Sequence, residues 1–165
     1  MKKLVFLLIF SAFFVSCAKN NISSAPVIEY GEVCNDANNE KEVSVQGFLN
    51  VAEKVPCMNM FSSKRQCAFK FLDKVNIVGK EIFVYLPEGA EKNHAETPDT
   101  GKSNLKPTSV FTRDEVKFRL NDGNVITPQV DIATPVTVTG KVTLTDGGGG
   151  EKICSIMTTK IEKQQ

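Results

Sequence analysis

The sequence contains no tryptophan, only one histidine and only two tyrosines among its 165 residues. None of its five cysteines stands in a CxxC pair, the spacing typical of thiol redox motifs and many zinc sites. Neither sign of charge dominates, because removing Lys2 and Lys3 of the N-terminal segment leaves 18 basic against 19 acidic residues. Nucleic-acid-binding proteins usually carry a clustered basic surface, so this balance argues against nucleic acid as a partner.

Long hydrophobic runs are confined to the N-terminus. Two lysines, Lys2 and Lys3, precede an apolar stretch at 4–15, and the small residue Ser16 follows it. A basic start, a short apolar run and a small residue at the cut are the parts of a secretory signal. A transmembrane helix needs roughly 20 apolar residues, which is longer than this run. We therefore predict that residues 1–16 are a signal peptide.

The end of this run carries a more specific pattern. Phe14-Val15-Ser16-Cys17 resembles the lipobox of bacterial lipoproteins, in which a cysteine after a small residue receives a lipid. The resemblance implies cleavage before Cys17, lipidation of Cys17 with diacylglycerol and palmitate, and anchoring in a membrane of the bacterial cell envelope. Ala18 stands where an aspartate would redirect sorting, which resembles the outer-membrane default. The alternative is an ordinary signal peptide with a chance cysteine.

Residues 17–32 are polar and small and include Pro26. Such a composition is typical of a flexible linker. We predict a lipidated tether over 17–32, followed by one domain over 33–165.

The four remaining cysteines are an even number and, after export, lie in an oxidising compartment, which favours two disulfides. Four cysteines allow three pairings. Cys57 and Cys67 bracket a short polar segment, so we favour that pair, which leaves Cys34 with Cys154. A zinc site would need all four thiolates from scattered positions. We therefore predict disulfides, no metal and no cofactor.

Val, Ile, Thr and Phe dominate the apolar segments, which indicates strands. Period-two alternation is typical of a half-buried strand. It occurs at 42–51, 67–73 and 136–144, while residues 80–86 form a predicted strand that is apolar on both faces and 152–163 is the fifth predicted strand. The last two flank Asp146-Gly147-Gly148-Gly149-Gly150, which predicts a hairpin turn.

The region between the third and fourth of these segments breaks the strand pattern. Residues 87–107 are rich in Gly, Pro and polar residues, which predicts a long functional or disordered loop. Thr112-Arg113-Asp114-Glu115 fits the capping box of a short helix. Residues 116–126 can continue that helix or form a hairpin around Asp122-Gly123, and we prefer the hairpin.

Two segments share the pattern V-x-V-x-G-x-aliphatic, beginning at Val43 and Val136. Glycine inside a strand marks a sharp bend or a close backbone approach. Five strands with these glycines resemble the OB-fold, which implies a small five-stranded barrel whose first and fourth strands are neighbours, with a long insertion between strands three and four. The hairpin at 116–126 departs from that pattern, where a helix is usual. A β-sandwich is the alternative fold.

No set of residues in the sequence predicts a catalytic site. The acids are scattered through polar segments, and His94 lies among polar loop residues, where we expect it to be solvated. Phe83 and Tyr85 fall on the outer side of the third strand with Lys70 beside them, as on the ligand face of OB-folds. They either form a stacking platform or are covered by residues 87–112, and we favour the cover.

The sequence is therefore interpreted as a non-enzymatic, lipid-anchored domain that binds a glycan, a peptide or a partner protein of the envelope. One alternative is a hydrolase of envelope polymers. The other is a single-stranded nucleic-acid binder of the OB type.

Overall fold

A computed structural model describes residues 24–60, 64–74, 81–128 and 135–164. The predicted signal peptide, Cys17 and the first part of the tether lie outside the described residues. Among the described residues, no helix is long and apolar enough to cross a bilayer.

The described chain is mostly β, as predicted, and its helical segments are three short 3₁₀ turns at Tyr30–Glu32, Asp36–Asn38 and Arg113–Glu115. Eleven strands are formed in the described ranges: β1 Val27–Ile28, β2 Glu42–Asn50, β3 Lys54–Asn59, β4 Arg65–Leu72, β5 Ile82–Pro87, β6 His94–Glu96, β7 Thr108–Thr112, β8 Lys117–Arg119, β9 Val125–Ile126, β10 Pro135–Asp146 and β11 Lys152–Lys163.

Eight strands form one sheet in the order β1-β2-β10-β11-β5-β4-β3-β7, and β2 also pairs with β4. This additional pairing closes a circuit of five strands, β2, β4, β5, β11 and β10, which we call the five-strand ring. Within the ring β5 and β11 run parallel, and the other neighbours are antiparallel. Because the ring leaves none of its five strands at an edge, its inner face forms one enclosed apolar core.

The two matched glycines lie where backbones come close. A Cβ at Gly47 would lie 2.5 Å from the Leu72 carbonyl oxygen and 2.6 Å from the Phe71 ring. A Cβ at Gly140 would collide with the Met157 carbonyl oxygen, at the point where the register between β10 and β11 shifts. Any side chain at either position would push two strands of the ring apart.

The segment expected to be tether is partly built into the sheet. β1 pairs in parallel with β2, and Val27 lies opposite Ser44. The Tyr30 hydroxyl donates to the Phe71 carbonyl oxygen at 2.6 Å, and the two rings are 5.8 Å apart. Burial raises the pKa of Tyr30 to about 12. The folded domain therefore begins before residue 33, and the prediction of a flexible tether to residue 32 is wrong for its last residues.

The expectation of a long loop over residues 87–107 also needs correction. β6 lies within this segment and pairs with β8 in a second sheet of order β6-β8-β9, while β7 follows it and pairs with β3. The preferred hairpin over 116–126 is confirmed as β8 and β9. The capping box is confirmed as well, since Thr112 begins a 3₁₀ turn in which Glu115 accepts from its backbone N–H.

Both disulfides join the pairs that the sequence favoured. Cys57 on β3 lies directly opposite Cys67 on β4, so this bond links two adjacent strands. Cys34 is bonded to Cys154 across 120 residues and attaches the N-terminal segment to β11. Only the second bond is long-range, and it ties the segment before β2 to the last strand.

Candidate functional site

The three predicted face residues lie on adjacent strands of the ring. Lys70 on β4 is directly opposite Phe83 on β5, and Tyr85 lies two residues further along β5. Directly opposed residues share one side of a sheet, so Phe83 and Tyr85 each share this surface with the residue opposite them on β4 and on β11. We call the resulting surface the aromatic face, and its members are Ala68, Lys70, Phe83, Tyr85, Ser155 and Met157.

The alternation along β5 separates core from surface as predicted. Ile82, Val84 and Leu86 are buried, whereas Phe83 and Tyr85 keep partial exposure. Partial burial raises the pKa of the Tyr85 hydroxyl above its ordinary value. Both rings are thus neither fully buried nor fully exposed.

The charge on the aromatic face is balanced locally. The Lys70 ammonium lies 2.6 Å from a Glu81 carboxylate oxygen, and both side chains are substantially exposed. Two flat rings beside a polar rim can stack against a sugar ring or an apolar side chain, while the ammonium donates hydrogen bonds. The surface thus suits an uncharged or mixed ligand better than a polyanion.

A second feature was missed by the sequence reasoning. Arg65 at the start of β4 is buried and forms a two-pronged ion pair with Glu88, just after β5. Nε lies 2.6 Å from Oε2 and Nη2 lies 2.7 Å from Oε1, with the two side chains only 2% and 3% exposed. Paired, bidentate geometry of this kind is what allows a guanidinium to remain charged away from water.

The remaining donors of Arg65 bind the segment before β7 and β7 itself. Nη1 donates to the Ser109 hydroxyl at 2.6 Å and to the Lys106 carbonyl oxygen at 3.2 Å, and Nη2 donates to Asp99 at 3.0 Å. A guanidinium has five N–H groups, and five acceptors surround this one. Its role is therefore to fasten residues 97–109 to the ring, not to hold a ligand. We call Arg65 and its partners Glu88, Asp99, Lys106 and Ser109 the arginine network.

The acids of the arginine network are committed to it. The Arg65 hydrogen bond, with smaller contributions from Lys102 and Ser109, holds the pKa of the Asp99 carboxyl below its ordinary value. Glu88 accepts a further hydrogen bond from the Thr97 hydroxyl. Both carboxylates thus accept hydrogen bonds that hold residues 97–109 against the ring.

His94 is not the solvated side chain that the sequence suggested. It lies on β6 with its side chain 12% exposed, and its Nε2 is 3.4 Å from Glu91. Its Nδ1 lies 2.7 Å from the Lys92 carbonyl oxygen. Across the described ranges, histidine, cysteine and acidic side chains form no group of three that could hold a metal ion.

Comparison with known proteins gives little. No protein-family model and no curated protein matches the sequence. Among solved structures, the chain is similar to a putative aspartyl-tRNA synthetase from Leishmania major Friedlin, with 10% sequence identity and a TM-score of 0.39. That match covers 89% of this chain but only 22% of the synthetase. A similarity at this TM-score supports no inference about function.

Proposed function

We propose that the protein is a lipid-anchored lipoprotein of the bacterial cell envelope, held at the outer membrane through Cys17, whose domain binds an envelope glycan, peptide or protein without catalysing a reaction. The anchor rests on Phe14-Val15-Ser16-Cys17. The observation that carries the binding role is the aromatic face, where Phe83 and Tyr85 remain partly exposed at successive outward positions of a ring strand.

The proposal includes assignment of the five-strand ring to the OB-fold. In support, β2 pairs with both β4 and β10, β5 pairs with β4, and β11 joins β10 to β5 with the β5–β11 pair parallel. The matched glycines, Gly47 and Gly140, lie on neighbouring strands, as the resemblance implied. β4 and β5 are then the second and third strands, whose outer face is the one OB-folds use for oligonucleotides and oligosaccharides.

The near-neutral chain favours a glycan or protein over nucleic acid among these ligands. The one lysine of the aromatic face is paired with Glu81, so little uncompensated positive charge remains for a phosphate backbone. Stacking on Phe83 and Tyr85 needs no charge, and it is the mode by which aromatic rings bind sugar faces and apolar side chains.

The test is the double substitution Phe83→Ala with Tyr85→Ala. We expect loss of binding to purified peptidoglycan sacculi in co-sedimentation, or loss of a specific in-cell cross-link from a photoreactive residue placed at Ala68. The melting temperature should fall less than in Ile82→Ala, because both rings keep partial exposure whereas Ile82 is buried. Ile82→Ala is the matched core control and should lower stability by about 2–5 kcal/mol.

If the double variant unfolds, or binds sacculi and forms the cross-link as the parent does, the aromatic face is not a binding surface. Unchanged binding by a folded double variant is the outcome that sinks the proposal most directly.

A further inference from the structure

β7 is the last strand of the eight-stranded sheet, and only one of its sides pairs with another described strand, β3. An edge strand offers backbone N–H and C=O groups to any extended chain that reaches it. On β7, the backbone groups that could bind such a chain are those that point away from β3.

The register between β7 and β3 identifies the residues that carry these outward backbone groups. The Asn59 N–H donates to the Pro107 carbonyl oxygen at 2.8 Å, and the Arg113 N–H donates to the Glu53 carbonyl oxygen at 2.9 Å. Hydrogen-bonded pairs alternate along an antiparallel ladder, so the odd-numbered residues between them also face β3. Thr108 and Val110 therefore direct their backbone groups away from the sheet.

The partner of Val110 across the ladder supports this assignment. It is Pro56, which has no N–H and so fits only a position where none is needed. Thr112 is outward by the same alternation, but its N–H donates to Glu115 at 2.8 Å. The open part of the edge is thus Thr108 to Val110, enough to pair with about three residues of an added strand.

Apolar side chains and a groove lie beside this open edge. Val110 is 59% exposed and Leu105 is 40% exposed. A groove of about 500 Å³ runs between β7 and the preceding segment, and it is lined by both residues together with Lys102 and Lys106. An added strand would place alternate side chains into this groove.

The charges of the groove point to an acidic ligand. Lys102 is 61% exposed, with its ammonium 3.3 Å from Asp99, and Lys106 is also exposed. The three cations Arg65, Lys102 and Lys106 therefore outnumber the two nearby acids, Glu88 and Asp99. Arg65 also binds the Lys106 carbonyl oxygen and the Ser109 hydroxyl, so the groove and the edge are fixed before any ligand arrives. A preformed edge loses less conformational entropy on binding.

We infer that the open edge of β7 binds an extended peptide segment of a partner protein, by β-strand addition, and that this segment alternates apolar and acidic residues. The β7 backbone supplies the hydrogen bonds, Val110 and Leu105 receive apolar side chains, and Lys102 and Lys106 pair with carboxylates. This site shares no residue with the aromatic face and does not depend on the function proposed for it.

The test uses the soluble protein from residue 18 onward and a fluorescein-labelled peptide of alternating glutamate and valine, followed by fluorescence anisotropy. We expect saturable binding that weakens about tenfold or more for Val110→Pro, which removes one outward N–H without touching the β3 ladder. Lys106→Glu should weaken binding similarly, whereas Lys163→Glu, on the exposed end of β11, should not. The Phe83→Ala and Tyr85→Ala double variant should bind as the parent does.

Three results would overturn the inference. The first is an absence of saturable binding to the intact protein. The second is equal binding of the glutamate–valine peptide and a lysine–valine peptide, which would remove the charge argument. The third is a dimer, seen by sedimentation, that Val110→Pro abolishes, because the edge would then belong to a second copy of the chain. Circular dichroism of each variant confirms that the fold is retained.

Discussion

Arg65, the first residue of β4, and Glu88, the residue after β5, both face inward and are joined by two hydrogen bonds of 2.6 and 2.7 Å. Arg65 continues the alternation of Cys67 and Phe69 on β4, and Glu88 continues that of Leu86 on β5. The apolar core of the ring therefore ends at a charged pair. The same guanidinium binds residues 97–109, so one side chain fastens the long excursion to the ring.

Replacing Arg65 should be among the most damaging single changes. In Arg65→Met the Glu88 carboxylate stays buried without its partner, and breaking a buried pair in this way lowers stability by about 3–5 kcal/mol. Adding Glu88→Leu should recover part of the loss, because it removes the unpaired charge. Urea unfolding gives both values. Lys64→Met, which removes a surface ion pair with Glu91, is the control and should leave the urea midpoint nearly unchanged.

Asp99 should make stability depend on acid pH. Its folded-state pKa is lowered, so the ionised carboxylate stabilises the fold above the unfolded value of about 4, and this stabilisation is lost as pH falls through the lower folded value. The parent should therefore exceed Asp99→Asn in urea midpoint at neutral pH, and the difference should shrink below about pH 4. A difference that stays constant from neutral pH to about pH 3 would contradict the assigned role of Arg65.

The two disulfides should differ in their effect. The chain-entropy relation gives about 5 kcal/mol for the bond closing 120 residues and about 3 kcal/mol for the bond closing 10. Removing Cys34 and Cys154 together by alanine should thus lower the urea midpoint more than removing Cys57 and Cys67. The reverse order would show that packing around the buried Cys57–Cys67 bond outweighs loop closure. Thiol titration of the parent should find no free thiol in residues 18–165.

The lipid anchor is tested at its cysteine. Cys17→Ser should abolish labelling with a radioactive fatty acid and leave the precursor uncut by the lipoprotein signal peptidase. Cys34→Ser is the matched control, because it removes a cysteine of the domain and should retain labelling. Normal membrane partition and labelling of Cys17→Ser would refute the lipoprotein proposal. Density-gradient fractionation of the parent then assigns the inner or outer membrane.

Residue patterns predicted the long strands well, because each has enough alternating positions to show its period. β10 and β11, with the Gly-rich turn between them, and the inward set Ile82, Val84 and Leu86 are examples. The cysteine pairing also followed from position, since Cys57 and Cys67 lie close in sequence. β1, β6 and β7 were missed because they have only two to five residues, too few to show a period, and β3 was missed because it contains a proline.

The arginine network was missed for a different reason. Its partners lie 23 to 44 residues from Arg65 in sequence, so no local pattern joins them. A signal did exist, because extending the β4 alternation back by two residues places Arg65 inward. An inward charge at a strand end predicts a buried partner of opposite sign. The same extension of β5 by two residues reaches Glu88.

The bond between Cys34 and Cys154 also has a mechanical consequence. Tension applied at the N-terminal side of the described chain can peel away only residues 24–33 before it reaches Cys34. When fully extended, that stretch of ten residues spans about 35 Å at most. Beyond it, the load passes through the covalent bond into β11 and leaves residues 34–154 unextended. A domain pulled from this end would therefore lengthen only by this stretch while the bond is intact, and reduction of the bond would allow residues 34–154 to extend as well.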